Sequence, residues 1–75
     1  MKTNSKNSNV LIKINGENKL IPHQCSILEL LEDYKINKDR VVIELNKAIL
    51  KKEQFEQISL AENDRLEIIT FVGGG

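Results

Sequence analysis

Disulfides, aromatic mass, surplus charge and long apolar runs are all scarce in this sequence. Its single cysteine, Cys25, has no partner for an internal disulfide, which fits a reducing compartment. Tyr34, Phe55 and Phe71 are the only aromatics, so the apolar content comes mostly from Ile, Leu and Val. A chain of 75 residues buries only roughly 60 % of its unfolded surface and folds with little margin. That leaves too little material for both a core and a large enclosed catalytic pocket, and it favours a protein acted upon or bound over an enzyme. Eleven basic residues balance eleven acidic ones and are interspersed with them. Without a basic stripe there is no electrostatic footprint for a phosphate backbone, so no nucleic acid partner is expected. No apolar run approaches the roughly 20 residues of a membrane span, so no membrane association is expected either. His23 is a lone imidazole without a second ligand at metal spacing, and no metal site is expected.

The opening stretch, MKTNSKNSN, has no apolar segment behind its lysines and does not read as a signal peptide. Residues 1–9 are expected to form a disordered polar leader. The abundance of Ile, Asn and Lys suggests an AT-rich genome, which places the protein in a bacterial cytoplasm or, if plastid-encoded, the plastid stroma.

Alternation begins at VLIKIN, residues 10–15, with Val10, Ile12 and Ile14 on one face of a strand. Asn15 and Gly16 follow as a hairpin signal, because both tolerate positive φ. A second strand is expected at about 18–21, ended by Pro22 or marked by it as an edge. In CSILELLEDY, Ser26 and Glu29 form a capping box and Cys25 takes the hydrophobic staple position against Leu30. Ile27, Leu30, Leu31 and Tyr34 are spaced to form the buried stripe of that helix. VVIELN, residues 41–46, reads as a third strand and residues 48–50 as a short fourth. KKEQFEQISL is ambiguous, with Phe55, Ile58 and Leu60 able to anchor it to the core. ENDR is a turn in which Asn63 can adopt a left-handed conformation. RLEIITF, residues 65–71, is the last strand, and the doublet Ile68–Ile69 suggests burial on both faces and a place inside the sheet. The order predicts an α+β fold: a β-grasp, or ubiquitin-like, roll with a mixed sheet of four to five strands packed on one main helix. The domain spans 10–72 and a flexible glycine tail spans 73–75.

The chain closes on FVGGG. Three glycines contribute nothing to a core and lose the most freedom on ordering. Without Cβ atoms they can thread a channel as narrow as a peptide backbone, and three extended residues reach roughly 10 Å. That reach carries Gly75 into another protein's buried site. Its carboxylate, with an ordinary pKa near 3.5, is ionised and a poor electrophile until one oxygen becomes a leaving group, as transfer of AMP from ATP accomplishes.

ING, SILELL, VVIELN, ENDRLEII and the terminal FVGGG together resemble the ThiS family, the sulfur carriers that supply the thiazole sulfur of thiamin. The resemblance runs from Val10 to Gly75. Asn63 stands where the family usually has Gly, and Lys47 where it often turns with Gly. The resemblance implies a cosubstrate of other enzymes, with Gly75 as the residue that is adenylated and converted to a thiocarboxylate. It further implies a ThiF-like adenylating enzyme that uses ATP and Mg, a cysteine desulfurase as sulfur source and a thiazole synthase as acceptor. This chain itself would bind no cofactor and would be a monomer when free. Gly73 and Gly74 would give passage into a partner's active site, while Phe71 and Val72 would fix the exit as candidate partner contacts.

The side residues read more plainly. Cys25 is accounted for as a packing residue, Glu32 and Asp33 as helix surface, and Phe55 as core. Phe71 suits core and partner patch equally. Three other readings share the fold: a MoaD-type carrier of another pathway, a ubiquitin-like modifier joined to lysines through Gly75, and an interaction module whose glycines are incidental.

Overall fold

The computed structural model describes residues 9–71. Five strands form one mixed sheet: β1 (Asn9–Ile14), β2 (Glu17–Pro22), β3 (Val41–Leu45), β4 (Ala48–Ile49) and β5 (Arg65–Thr70). Their spatial order is β2-β1-β5-β3-β4, so the last strand in sequence is the middle strand in space. It runs parallel to β1 and antiparallel to β3. One helix, α1 (Ile27–Asp33), covers one face of this sheet. This is the expected β-grasp, with five strands.

Two tight hairpins set the registers. Asn15 (φ 49°) and Gly16 (φ 87°) join β1 to β2, and Asn46 (φ 50°) and Lys47 (φ 73°) join β3 to β4. Paired positive φ values give the primed turn whose twist matches the strands it connects. Lys47 adopts the left-handed region without glycine's freedom, at a cost of about 1–2 kcal/mol. Asn63 (φ 71°) turns the chain as expected. The strand β1 begins at Asn9, opposite Pro22, so the first of these lies in the ladder rather than in the segment before it. Pro22 ends β2 on an edge of the sheet, where a missing N–H breaks no ladder.

The helix is written largely by its caps. Ser26 Oγ accepts from the Glu29 N–H (3.0 Å), and Glu29 Oε1 accepts from the Ser26 N–H (2.9 Å), which is the expected capping box. The segment left ambiguous in sequence supplies two more partners: the Phe55 carbonyl accepts from Leu28 N–H and the Ile58 carbonyl from Ile27 N–H. Irregular backbone thus satisfies helix donors that would otherwise be unpaired. At the other end Lys35 (φ 60°) donates to Glu32 and Ile36 donates to Leu31, the pairing of a Schellman turn.

That turn corrects the expected stripe. Ile27, Leu30 and Leu31 are buried, but Tyr34 is the C-cap and is 42 % exposed. Ile36, brought back over the helix end by the turn, packs against the core instead. Phe55 is buried as expected, together with Leu60, and Cys25 packs half-buried against the same cluster. The doublet also needs correcting. Ile68 is 9 % exposed and faces the helix, whereas Ile69 is 54 % exposed on the uncovered side. The strand β5 is interior because hydrogen-bonded neighbours flank it, not because both its faces are buried.

Replacing Ser26 with alanine leaves the Glu29 N–H without its cap. A loss of about 0.5–2 kcal/mol is expected, read as a shifted midpoint at unchanged slope in a denaturant melt. An unmoved midpoint would mean that the box does not hold this helix end.

Candidate functional site

The described chain ends at Phe71, one residue beyond β5. Its N–H donates to the Arg40 carbonyl (2.9 Å), the last rung joining this strand to the chain entering β3. Its ring is 55 % exposed, so Phe71 is a surface residue rather than part of the core. The other expected site residues, Val72, Gly73, Gly74 and Gly75, lie outside the described residues.

Register places further side chains on the face that Phe71 shares. Successive strand residues alternate between faces. With Ile68 against the helix, Ile69 and Phe71 therefore stand on the uncovered face. Ile69 is directly opposite Val42, and Glu44, two residues along β3, is opposite Ile49 of β4. Ile49 is 70 % exposed. An apolar group of Val42, Ile49, Ile69 and Phe71 thus occupies the side of the sheet from which the chain departs. Leu11 and Leu20, paired across β1 and β2, add exposed apolar surface farther along the same face.

Charge on this face is arranged unusually. Glu44 and Glu67 are directly opposite one another across β3 and β5. Like charges so placed disfavour the pairing, and among the described residues neither forms an ion pair. Lys13 and Arg65 are opposite one another across β1 and β5. The surface is therefore not arranged for stability alone.

Groups able to do covalent chemistry are few. Cys25 lies where β2 runs into α1, in an open groove also lined by His23, Glu29, Asp33 and Tyr34. Burial raises its thiol pKa, and the carboxylates of Glu29 and Asp33 raise it further. A protonated thiol is a poor nucleophile. His23 is exposed. Among the described residues no three His, Cys, Asp or Glu side chains are grouped to hold a metal. Asp39 is the other perturbed group: its hydrogen bond to Lys52 lowers its pKa, and both partners are open to solvent.

Residues 6–75 match the family model for ThiS. The chain belongs to the ThiS family. Members are small sulfur carrier proteins rather than enzymes. The sulfur carrier protein ThiS of Bacillus subtilis is 35 % identical over 66 residues, covering 87 % of this chain and 100 % of that protein. An uncharacterised protein named ycf40 from Pyropia yezoensis is 43 % identical over 72 residues, covering 91 % and 96 %. A thiazole synthase of Paramagnetospirillum magneticum contains a similar stretch, 32 % identical over 62 residues; it takes in 83 % of this chain but 19 % of the synthase. Among solved structures, ThiS from Geobacter metallireducens superposes with a TM-score of 0.74 at 28 % identity, over 88 % of this chain and 100 % of that one.

The sequence singled out Phe71 but not Val42, Ile49 or Ile69. Their strand alternation was visible, yet nothing local tells which face a single helix will cover.

The raised thiol pKa has a direct consequence. At neutral pH Cys25 should alkylate several-fold more slowly in the folded protein than in the same chain unfolded in urea. Equal rates would make it a candidate reactive thiol rather than a packing residue.

Proposed function

We propose that this protein carries sulfur for thiazole formation in thiamin biosynthesis as a thiocarboxylate on Gly75. Membership of the ThiS family and the name of the Bacillus relative support the pathway. The observation that carries the proposal from sequence to structure is the apolar group of half-buried Val42 with exposed Ile49, Ile69 and Phe71 on the face from which the chain departs. A partner that docks there meets the thread at its root. Glu44 and Glu67 offer it a place for a lysine or arginine, which would relieve their mutual repulsion.

The chemistry follows from the weakness of a carboxylate as an electrophile. A ThiF-like enzyme, using ATP and Mg, transfers AMP to the Gly75 carboxylate and releases pyrophosphate. The outer sulfur of a cysteine-desulfurase persulfide then attacks the acyl carbon and displaces AMP to give an acyl disulfide. A partner thiol attacks the desulfurase sulfur, forming a disulfide with it and releasing the thiocarboxylate. A thiazole synthase accepts the sulfur, and the carboxylate is regenerated. The matching stretch inside the Paramagnetospirillum synthase supports that acceptor, since a carrier built into the same chain meets it at high effective concentration. Throughout, this chain is a cosubstrate: Gly73 and Gly74 pass through the partner's channel, and the folded domain fixes where the thread begins. The plastid reading-frame name ycf40 of the Pyropia relative supports the stroma over a bacterial cytoplasm.

Thread length and thread width can be tested separately with a cognate adenylating enzyme. Deleting Gly75 withdraws the reactive carbon by about 3.5 Å, and misplacement of about 1 Å already costs a catalytic step heavily. Gly74→Leu keeps the length but adds a side chain. ATP–pyrophosphate exchange should collapse for both, with melting curves like the parent. Undiminished exchange by the shortened protein would sink the mechanism. Intact mass of protein taken from cells separates a carrier from the modifier and module readings: oxygen replaced by sulfur marks a carrier, adducts to lysine mark a modifier, and neither marks a module.

The docking face predicts a different kinetic defect. Ile69→Ser removes an exposed side chain, so stability should change by no more than about 0.5 kcal/mol. The KM for adenylation should rise severalfold while kcat holds. An unchanged KM would place the contact elsewhere.

A further inference from the structure

We infer that Asn15 is a positioning residue for the carboxyl-terminal thread: its carboxamide replaces the missing next peptide of β1 and holds Ile68. The inference rests on Gly75 being the reacting residue.

The parallel ladder between β1 and β5 is short. Lys13 N–H donates to the Asp64 carbonyl and Asn15 N–H to the Leu66 carbonyl, both at 2.9 Å. The chain then enters the left-handed turn at Asn15 and Gly16, and β1 has no further residue to offer. Ile68 is the next residue of β5 whose backbone faces that side. Its N–H donates to Asn15 Oδ1 (2.8 Å), and its carbonyl accepts from Asn15 Nδ2 (3.2 Å). A carboxamide has one oxygen acceptor and an NH2 donor, the same pair that a peptide unit presents. The side chain therefore continues the ladder by one rung after the backbone has turned away. The two residues are 53 apart in sequence and the contact is partly buried.

The rung matters because of where it falls. On the other side, β3 and the residue before it hold β5 as far as Phe71. On the β1 side the Asn15 carboxamide is the last hold among the described residues, three residues before Phe71. A strand gripped along one edge can swing about that edge, and a grip on both edges fixes its direction. Direction at Ile68 sets where β5 delivers the chain at Phe71, the residue from which the carboxyl-terminal segment starts.

The opposite end of β5 supplies an internal comparison. Asn46, also left-handed and also in a hairpin turn, accepts from the Arg65 N–H through Oδ1 (2.9 Å). Each hairpin thus contributes one asparagine that clamps the central strand, one at its start and one near its exit. Purely structural clamps would be equivalent for function. Of the two, Asn15 holds the end of β5 nearer Phe71.

Glycine is the informative replacement at both sites, since it keeps the positive φ of the turn and deletes only the carboxamide. Asn15→Gly and Asn46→Gly should lose similar stability in a denaturant melt, and Asn15→Gly should speed amide exchange at Ile68 roughly tenfold. With the cognate adenylating enzyme, Asn15→Gly should lower kcat by about 10- to 100-fold while KM, set by the docking face, stays near the parent's. Asn46→Gly should keep the parent kcat. Equal kcat losses in the two variants would reduce Asn15 to a structural clamp, and a parent-like kcat or a change confined to KM in Asn15→Gly would equally overturn the inference. A parent protein that is not adenylated at all would remove the carrier reading first, and this inference with it.

Discussion

The strand made last must lie in the middle of the sheet, and the rest of the molecule is organised by that constraint. β5 takes hydrogen bonds from β1 on one side and β3 on the other, so neither hairpin is joined to its neighbour until residues 65–70 arrive. Much of the fold is therefore long-range in sequence, which slows assembly relative to a chain of local contacts. The same arrangement gives the carboxyl end an anchorage that a terminal edge strand would lack. Termini are ordinarily the loosest parts of a domain. Here the root of the thread belongs to the most enclosed strand.

One helix is enough to cover one face of five strands and no more. Ile12, Ile27, Leu31, Ile43 and Leu66 are shut away almost completely between α1 and the sheet. Ile49, Ile69 and Phe71 are left on the outside at 54–70 % exposure. Isolated exposed apolar residues are ordinary, but a group in register across three strands is what the docking proposed above rests on. The opposed pair of Glu44 and Glu67 on the same face fits that reading, because a free-standing domain gains nothing from it. Economy of size thus produces both the core and the proposed docking face.

Turn chemistry bears much of the remaining burden. Gln24, Lys35 and Lys47 occupy positive φ without being glycine or asparagine. Each such residue costs on the order of 1 kcal/mol, offset by the bonds its turn completes. Lys35 allows the Schellman turn that draws Ile36 onto the core, and Lys47 closes the β3–β4 hairpin. Glycine is concentrated instead at the carboxyl end, at Gly73, Gly74 and Gly75.

Local signals in the sequence were decisive wherever one residue's chemistry sufficed. The capping box of Ser26 and Glu29, the turn at Asn15–Gly16, the left-handed Asn63 and the alternation of β1 all reappear in the structure, because caps, turns and strand period depend on neighbours within a few residues. The family was legible too, since it is carried by short motifs at the hairpin, the helix start and the carboxyl end. Tertiary packing decided the rest. Tyr34 had the spacing of a core residue, but the helix ended under it and Ile36 took the contact. Ile68 and Ile69 looked alike, and only the placement of α1 on one side buried the first and exposed the second. Asn15 was recognisable as a turn residue, yet its second role requires Ile68, 53 residues away, to arrive opposite its carboxamide. A side chain's local conformation is set by its own backbone, whereas its partner is set by whichever distant strand the topology brings beside it.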